Sequence, residues 1–174
     1  MDSILEIARY ICQQYKKISG ETLDEMKLHK LLYFAQRESF AVLGKPLFIE
    51  NMEAWIYGPV SPEVRANYET LKKDKTPSRI SRMGKKIVNR VLKKYAAIAS
   101  WKLSQLSHEE ISWRNARGKL NGSERGDTPL NLEDIKIDAA KENCTIETIS
   151  DEDRDAILEK IENKYYDAFV GLAK

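Results

Sequence analysis

The chain has 174 residues, 42% hydrophobic and 32% charged, with a formal net charge of +2. These values exclude a disordered or fibrous chain and suit one globular domain, or one domain with a helical extension. No apolar run approaches the ~20 residues that a membrane-spanning helix needs, the start Met1-Asp2-Ser3-Ile4-Leu5-Glu6 lacks the pattern of a signal peptide, and two well-separated cysteines, Cys12 and Cys144, read as free thiols of a cytoplasmic protein.

Ile4, Leu5, Ala8, Ile11, Cys12 and Tyr15 recur at helical spacing. They predict an amphipathic helix over about residues 2–17, stopped near Gly20. Thr22-Leu23-Asp24-Glu25 has the form of a capping box that opens a second helix over about 23–43. Leu28, Leu31, Leu32, Ala35 and Val42 form one stripe of that helix, and His29, Tyr33, Arg37 and Phe40 another. Stripes on two sides mark a helix central to its bundle. Gly44 suits its C-terminal cap and Pro46 blocks further helix.

Leu47-Phe48-Ile49 and Ala54-Trp55-Ile56-Tyr57 are short, aromatic and β-branched, and predict two strands or one irregular extended segment, ended by Gly58-Pro59. Ser61-Pro62 starts a helix that runs to about Leu71. After a polar loop over 72–79, Ser81 caps a helix over about 82–99, with Ile87, Val88, Val91, Leu92, Tyr95 and Ile98 on its buried face. Ser107 and Glu110 form a second capping box, with Leu106 and Ile111 placed as a hydrophobic staple, and start a short helix carrying Trp113, Ala116 and Arg117. Residues 118–131 read as a loop, a short element follows over about 132–142, and Ser150-Asp151-Glu152-Asp153 caps a helix reaching the chain end. The expected fold is mainly α: a compact helical domain over 1–142 with a small β-hairpin or extended element near residues 47–57, and a C-terminal helical extension over 143–174.

The small net charge hides an asymmetry. Between Arg65 and Lys102, twelve basic residues face the acids Glu69 and Asp74, whereas between Glu133 and Asp167 twelve acids face five bases. A basic stretch of this kind can neutralise several phosphates, and Lys85, Lys86 and Arg90 are the residues on which a nucleic-acid-binding alternative rests. The plainer reading is a solvated helix face.

Chemistry-bearing constellations are scarce. Neither His29 nor His108 lies in a zinc pattern, no glycine-rich phosphate loop occurs, and neither cysteine has a cation cluster beside it. A hydrolase would need a pocket joining one histidine to carboxylates. The residues thus give no catalytic, cofactor-binding or metal-binding set, and point to a binding protein rather than an enzyme. The stretch Glu53–Val60 brings two aromatics, a glycine and a proline together between an extended segment and a helix. Its plain reading is a rigid corner; its functional reading is a preformed recognition edge made of Trp55, Tyr57, Pro59 and Val60, joined by Trp113 and Arg117.

One resemblance goes further. Lys27-Leu28-His29-Lys30-Leu31-Leu32-Tyr33-Phe34-Ala35-Gln36 is similar to the Lys-Leu-x-Lys-Leu-Leu-Tyr-Phe-Ala-Gln helix of the Panacea, or SocA-like, antitoxin domain family. Gly44-Lys45-Pro46-Leu47-Phe48, then Glu53 to Val60, then Leu103 to Trp113, follow in that family's order. The match spans about residues 4–142. It departs from the family pattern at Arg37 and Glu38, where glycine and tryptophan are common, at Ala96, where glycine is, and at Ser112, where proline is. The resemblance implies a mainly helical domain with a small β element. It also implies an antitoxin, typically encoded beside a toxin gene in bacteria or prophages, whose partner is a cognate toxin neutralised by direct binding; one branch of the family instead delivers its toxin to a protease.

Overall fold

A computed structural model describes residues 1–143; the helix expected after Ser150, and with it all but the first residue of the extension expected over 143–174, lies outside the described residues. Helix α1 (Ile4–Ser19) follows its stripe, burying Ile4, Ile7, Ala8, Ile11 and Cys12. Gly20 closes it with φ 76°, the left-handed conformation that glycine adopts without strain. Burial pushes the Cys12 thiol up to about 12, so it packs as a small hydrophobe.

Helix α2 (Glu25–Leu43) is buried at every position from Lys27 to Phe40. It touches α1, three later helices and the hairpin, which makes it the axis of the fold. Its cap differs from the one expected. The carboxylate of Asp24 accepts the Lys27 amide at 2.8 Å, and Leu23 is buried. The helix therefore starts after Asp24, and Thr22 stands outside the cap.

The β element also sits later than its apolar pattern suggests. Leu47-Phe48-Ile49 is not a strand, because the side-chain amide of Gln36 takes its backbone groups. Gln36 Oε1 accepts the amides of Leu47 at 2.8 Å and Phe48 at 3.3 Å, and Nε2 donates to the Phe48 carbonyl at 2.9 Å. A buried glutamine thus does what a neighbouring strand would do. The hairpin consists of β1 (Glu53–Trp55) and β2 (Gly58–Val60), antiparallel, with Ile56-Tyr57 as its turn and Trp55 opposite Gly58. Gly58-Pro59 forms the second strand instead of ending the first. Gly58 has φ 99°, and a Cβ there would stand 2.7 Å from Lys30 Cε and clash with Ser107 Oγ. Only glycine permits both the backbone angle and the close approach. The outer edge of β1 is covered: the Ala54 amide donates to the Thr128 carbonyl and the Leu130 amide to the Met52 carbonyl.

Helix α3 (Pro62–Leu71) has Ser61 as cap and proline in its first turn, as its sequence predicts. Helix α4 (Arg82–Tyr95) buries Ile87, Val88, Val91, Leu92 and Tyr95, with Ser81 accepting the Gly84 amide. It ends at Tyr95, short of residue 99, and a separate helix α5 (Ser100–His108) follows. No glycine or proline marks that break. Its cause is tertiary: Lys27, buried on α2, donates from Nζ to the Ala96 carbonyl at 3.1 Å and satisfies an end-of-helix acceptor.

The Ser107–Glu110 capping box is not formed. Ser107 lies inside α5, where its hydroxyl donates to the Ser104 carbonyl at 2.7 Å, and Glu110 turns its carboxylate to Arg37. Helix α6 (Ile111–Arg117) is capped from a distance: Asp138, on α7 (Leu132–Asn143), accepts the amides of Ile111 at 2.7 Å and Ser112 at 2.9 Å. The fold is mainly α, with one small antiparallel sheet among the described residues. No described helix is long and apolar enough to cross a membrane.

Candidate functional site

Among the described residues, the hairpin and α5 carry the two aromatic side chains that are exposed, Tyr57 and Trp101, and Trp55 and Trp113 lie partly buried on the hairpin and α6. The Trp55 ring is half-buried and held by its own strand, with Nε1 donating to Glu53 Oε2 at 2.7 Å. The Trp55 carbonyl accepts Trp113 Nε1 at 2.9 Å, which ties the hairpin to α6. Trp113 in turn stacks on His108, centroids 4.0 Å apart. Tyr57, at the hairpin turn, is 61% exposed, and its carbonyl accepts the Ser104 hydroxyl of α5 at 2.8 Å. Trp101, one turn earlier on α5, is 63% exposed. Tyrosine and tryptophan are the residue types enriched among the anchors of protein interfaces.

The other residues expected at this edge lie beneath it. Pro59 and Val60 are buried in β2; the Pro59 carbonyl accepts Lys30 Nζ at 3.0 Å. Arg117 is 5% exposed. Its guanidinium donates to the carbonyls of Asn121 at 2.6 Å and Glu124 at 2.7 Å, and Gly126 packs so closely that a Cβ would meet Arg117 Nη1 at 2.8 Å. Arg117 therefore shapes the 118–131 loop from inside. Three residues of the surface carried no pattern in the sequence. Trp101 sits on a helix that its flanks do not announce, Arg125 lies in an aperiodic loop, and Arg65 is one of many basic residues in its stretch. The guanidiniums of Arg65 and Arg125 lie 5.0 Å and 4.5 Å from the Trp55 ring centroid.

Under this surface α2 carries an unusual row of buried polar groups. Lys30 is 1% exposed, and burial lowers its pKa to about 7. His29 accepts the Ser61 amide on Nδ1 at 3.3 Å, leaving Nε2 facing Glu25 Oε1 at 3.6 Å, beyond hydrogen-bond reach. Burial, with Lys30 and Arg65 nearby, drops its pKa to about 3, so it is a neutral core imidazole at physiological pH. Burial also lowers the His108 pKa, with Lys30 and Arg117 adding to it. Further along, the Tyr33 hydroxyl lies 3.3 Å from Glu110, 2.9 Å from Ser112 Oγ and 3.2 Å from Asp138, and Arg37 pairs with Glu110 and donates to the Tyr95 hydroxyl at 2.8 Å. Burial raises the Glu110 pKa to about 7 against the opposing pull of Arg37, with Asp138 pushing it further up. These groups tie helices together. Among the described residues no set of three or more His, Cys, Asp or Glu is arranged to hold a metal ion.

The basic stretch is less free than its count implies. Arg90 pairs with Glu38 at 2.7 Å, Arg65 with Glu25 at 3.3 Å, and Lys72 and Lys73 both with Glu69. Lys85 is exposed and Lys86 half-buried on α4; α4 packs on α1 and α2, whereas the hairpin packs on α2, α5 and α6.

Set against known proteins, residues 28–114 match the family described as "Antitoxin SocA-like, Panacea domain", half of the chain. The matched span runs from α2 through the hairpin to Trp113 and so contains the surface just described, apart from Arg125. No curated protein and no solved structure matches the chain.

Proposed function

Since the chain belongs to the SocA-like antitoxin, Panacea domain, family, we propose that it is the antitoxin of a toxin–antitoxin pair and neutralises a cognate toxin by direct binding in the cytoplasm, without catalysis. In this reading residues 1–142 are the binding domain and 143–174 a separate extension. The observation that carries it is the family match, because that match includes the hairpin and the α5–α6 segment on which Trp55, Tyr57, Trp101 and Trp113 are presented. A neutraliser needs a rigid, complementary surface. The hairpin is rigid for stated reasons: its outer edge is paired to the 128–130 segment, Lys30 holds the Pro59 carbonyl, and Trp113 holds the Trp55 carbonyl. With both strands engaged, binding runs through side chains rather than through an added strand. A complex of this type buries about 1,200 Å² or more in total.

Co-expression with the product of the neighbouring gene tests the proposal. The expected outcome is a neighbour that arrests growth alone, is harmless with this protein, and co-purifies with it. A neighbour that is harmless alone, or still toxic and unbound in the presence of this protein, removes direct neutralisation. Nucleic-acid binding through Lys85, Lys86 and Arg90 receives no comparable support, because Arg90 is engaged with Glu38 and several other basic residues of the stretch sit in ion pairs.

A further inference from the structure

Two arginines distant in sequence are each held over one indole. Arg65 comes from the first half of α3 and Arg125 from the 118–131 loop, and both guanidiniums lie over Trp55. Neither placement is accidental. The ring is fixed by Glu53 at Nε1 and by its strand pairing with Gly58. Arg125 sits between Glu124, whose carbonyl Arg117 holds, and Gly126, which packs against the Ala54 carbonyl. Arg65 is steadied by Glu25, whose Oε1 also faces the buried His29.

Among the described residues Glu25 is the carboxylate paired with Arg65, and none is paired with Arg125. A guanidinium held over a ring face can still offer N–H groups to a planar acceptor such as a carboxylate, and Arg125 keeps its own free of any ion pair among the described residues, whereas Arg65 already gives Nη1 to Glu25. We propose that Arg65 and Arg125, each held over Trp55 at the hairpin, form a two-guanidinium clasp that binds aspartate or glutamate side chains of a protein partner, with Tyr57 covering apolar surface beside them. This rests on the neutralisation reading and specifies what the clasp recognises on the partner.

A carboxylate fits better than a nucleic-acid backbone. The segments that build the clasp also carry Glu25, Glu53, Glu63, Glu124 and Asp127. A run of phosphates crossing the site must pass these acids, whereas a single carboxylate needs to meet only the arginine it pairs with.

Selection of a displayed random-peptide library on the full chain tests the clasp. The expected result is enrichment of peptides rich in aspartate and glutamate, whose affinity falls about tenfold or more in Arg125→Ala, a loss typical of an arginine anchor, and is not restored by Arg125→Lys, which lacks the planar fork. Arg65→Ala is expected to act alike, but it also removes the Glu25 pair. Arg125→Ala breaks no ion pair among the described residues and is the cleaner variant. Enriched peptides without acidic bias, affinities unchanged in Arg125→Ala, or no enrichment at all overturn the proposal. So does tighter, steeply salt-dependent binding of duplex DNA through the same arginines. The two readings fail separately: protection from the neighbouring gene's product by an Arg65→Ala/Arg125→Ala variant leaves neutralisation standing without the clasp, and absence of protection by the unaltered chain removes neutralisation whatever the peptides show.

Discussion

Helices α2 and α4 are both rich in cations, yet the two put them to opposite uses. On α2, Lys27, Lys30 and Arg37 are buried and each is spent on another element: Lys27 on the end of α4, Lys30 on the hairpin, and Arg37 on Glu110 and Tyr95. On α4, Lys85, Lys93 and Lys94 are exposed on the face opposite the core, and Arg90 meets Glu38 half-way. A buried charge must find a partner or lose its proton, while a solvated one need not. Cation count therefore says little about function here; the α2 cations build the scaffold, and the arginines proposed to meet a partner come from α3 and a loop.

That contrast can be broken or sharpened by substitution. The largest effect is expected at Arg37. Arg37→Met leaves Glu110 without its buried cation and should destabilise the fold by roughly 3–5 kcal/mol, measured as a lower urea midpoint. Next is the pH dependence set by Lys30. Its pKa is about 7 in the fold and 10.5 in the open chain, so between those values the unfolded state holds more protons. Stability should rise with pH above about 7, at up to about 1.4 kcal/mol per pH unit, and Lys30→Met should flatten that rise in urea titrations at successive pH values. Tyr33→Phe removes a buried hydroxyl set among Glu110, Ser112 and Asp138 and should cost about 1–2 kcal/mol, again read from the urea midpoint. Smallest is Lys85→Glu with Lys86→Glu on α4, expected to shift stability by no more than about 0.5 kcal/mol; a shift as large as that at Arg37 would show that the α4 cations are structural after all.

The same contrast explains what could be read in advance. Helices α1, α3 and α4 follow from stripes and from Ser61 and Ser81, since their signals are local and their exposed faces are solvated. The misreadings fall where a distant side chain supplies a backbone partner. Gln36 replaces a strand beside Leu47 and Phe48, Lys27 terminates α4 at Ala96, and Asp138 caps α6 in place of Ser107. Each joins residues far apart in the sequence, which no local pattern encodes. Trp55 and Tyr57 were legible as a corner; Arg125 was not, because its position depends on Arg117 gripping the loop carbonyls. The departures from the family pattern at Arg37, Glu38 and Ser112 acquire a physical sense: all three are buried, and each meets a polar partner, in Glu110, Arg90 and Tyr33 respectively.

The most direct measurement concerns Tyr57 and Trp101, which are open to solvent and can be removed without opening the core. Tyr57→Ala/Trp101→Ala should keep the circular dichroism and urea midpoint of the unaltered chain, yet lose both growth protection and co-purification when expressed with the neighbouring gene's product. Full protection by that folded double variant would mean that the toxin is met elsewhere, and that the hairpin and α5 are only scaffold.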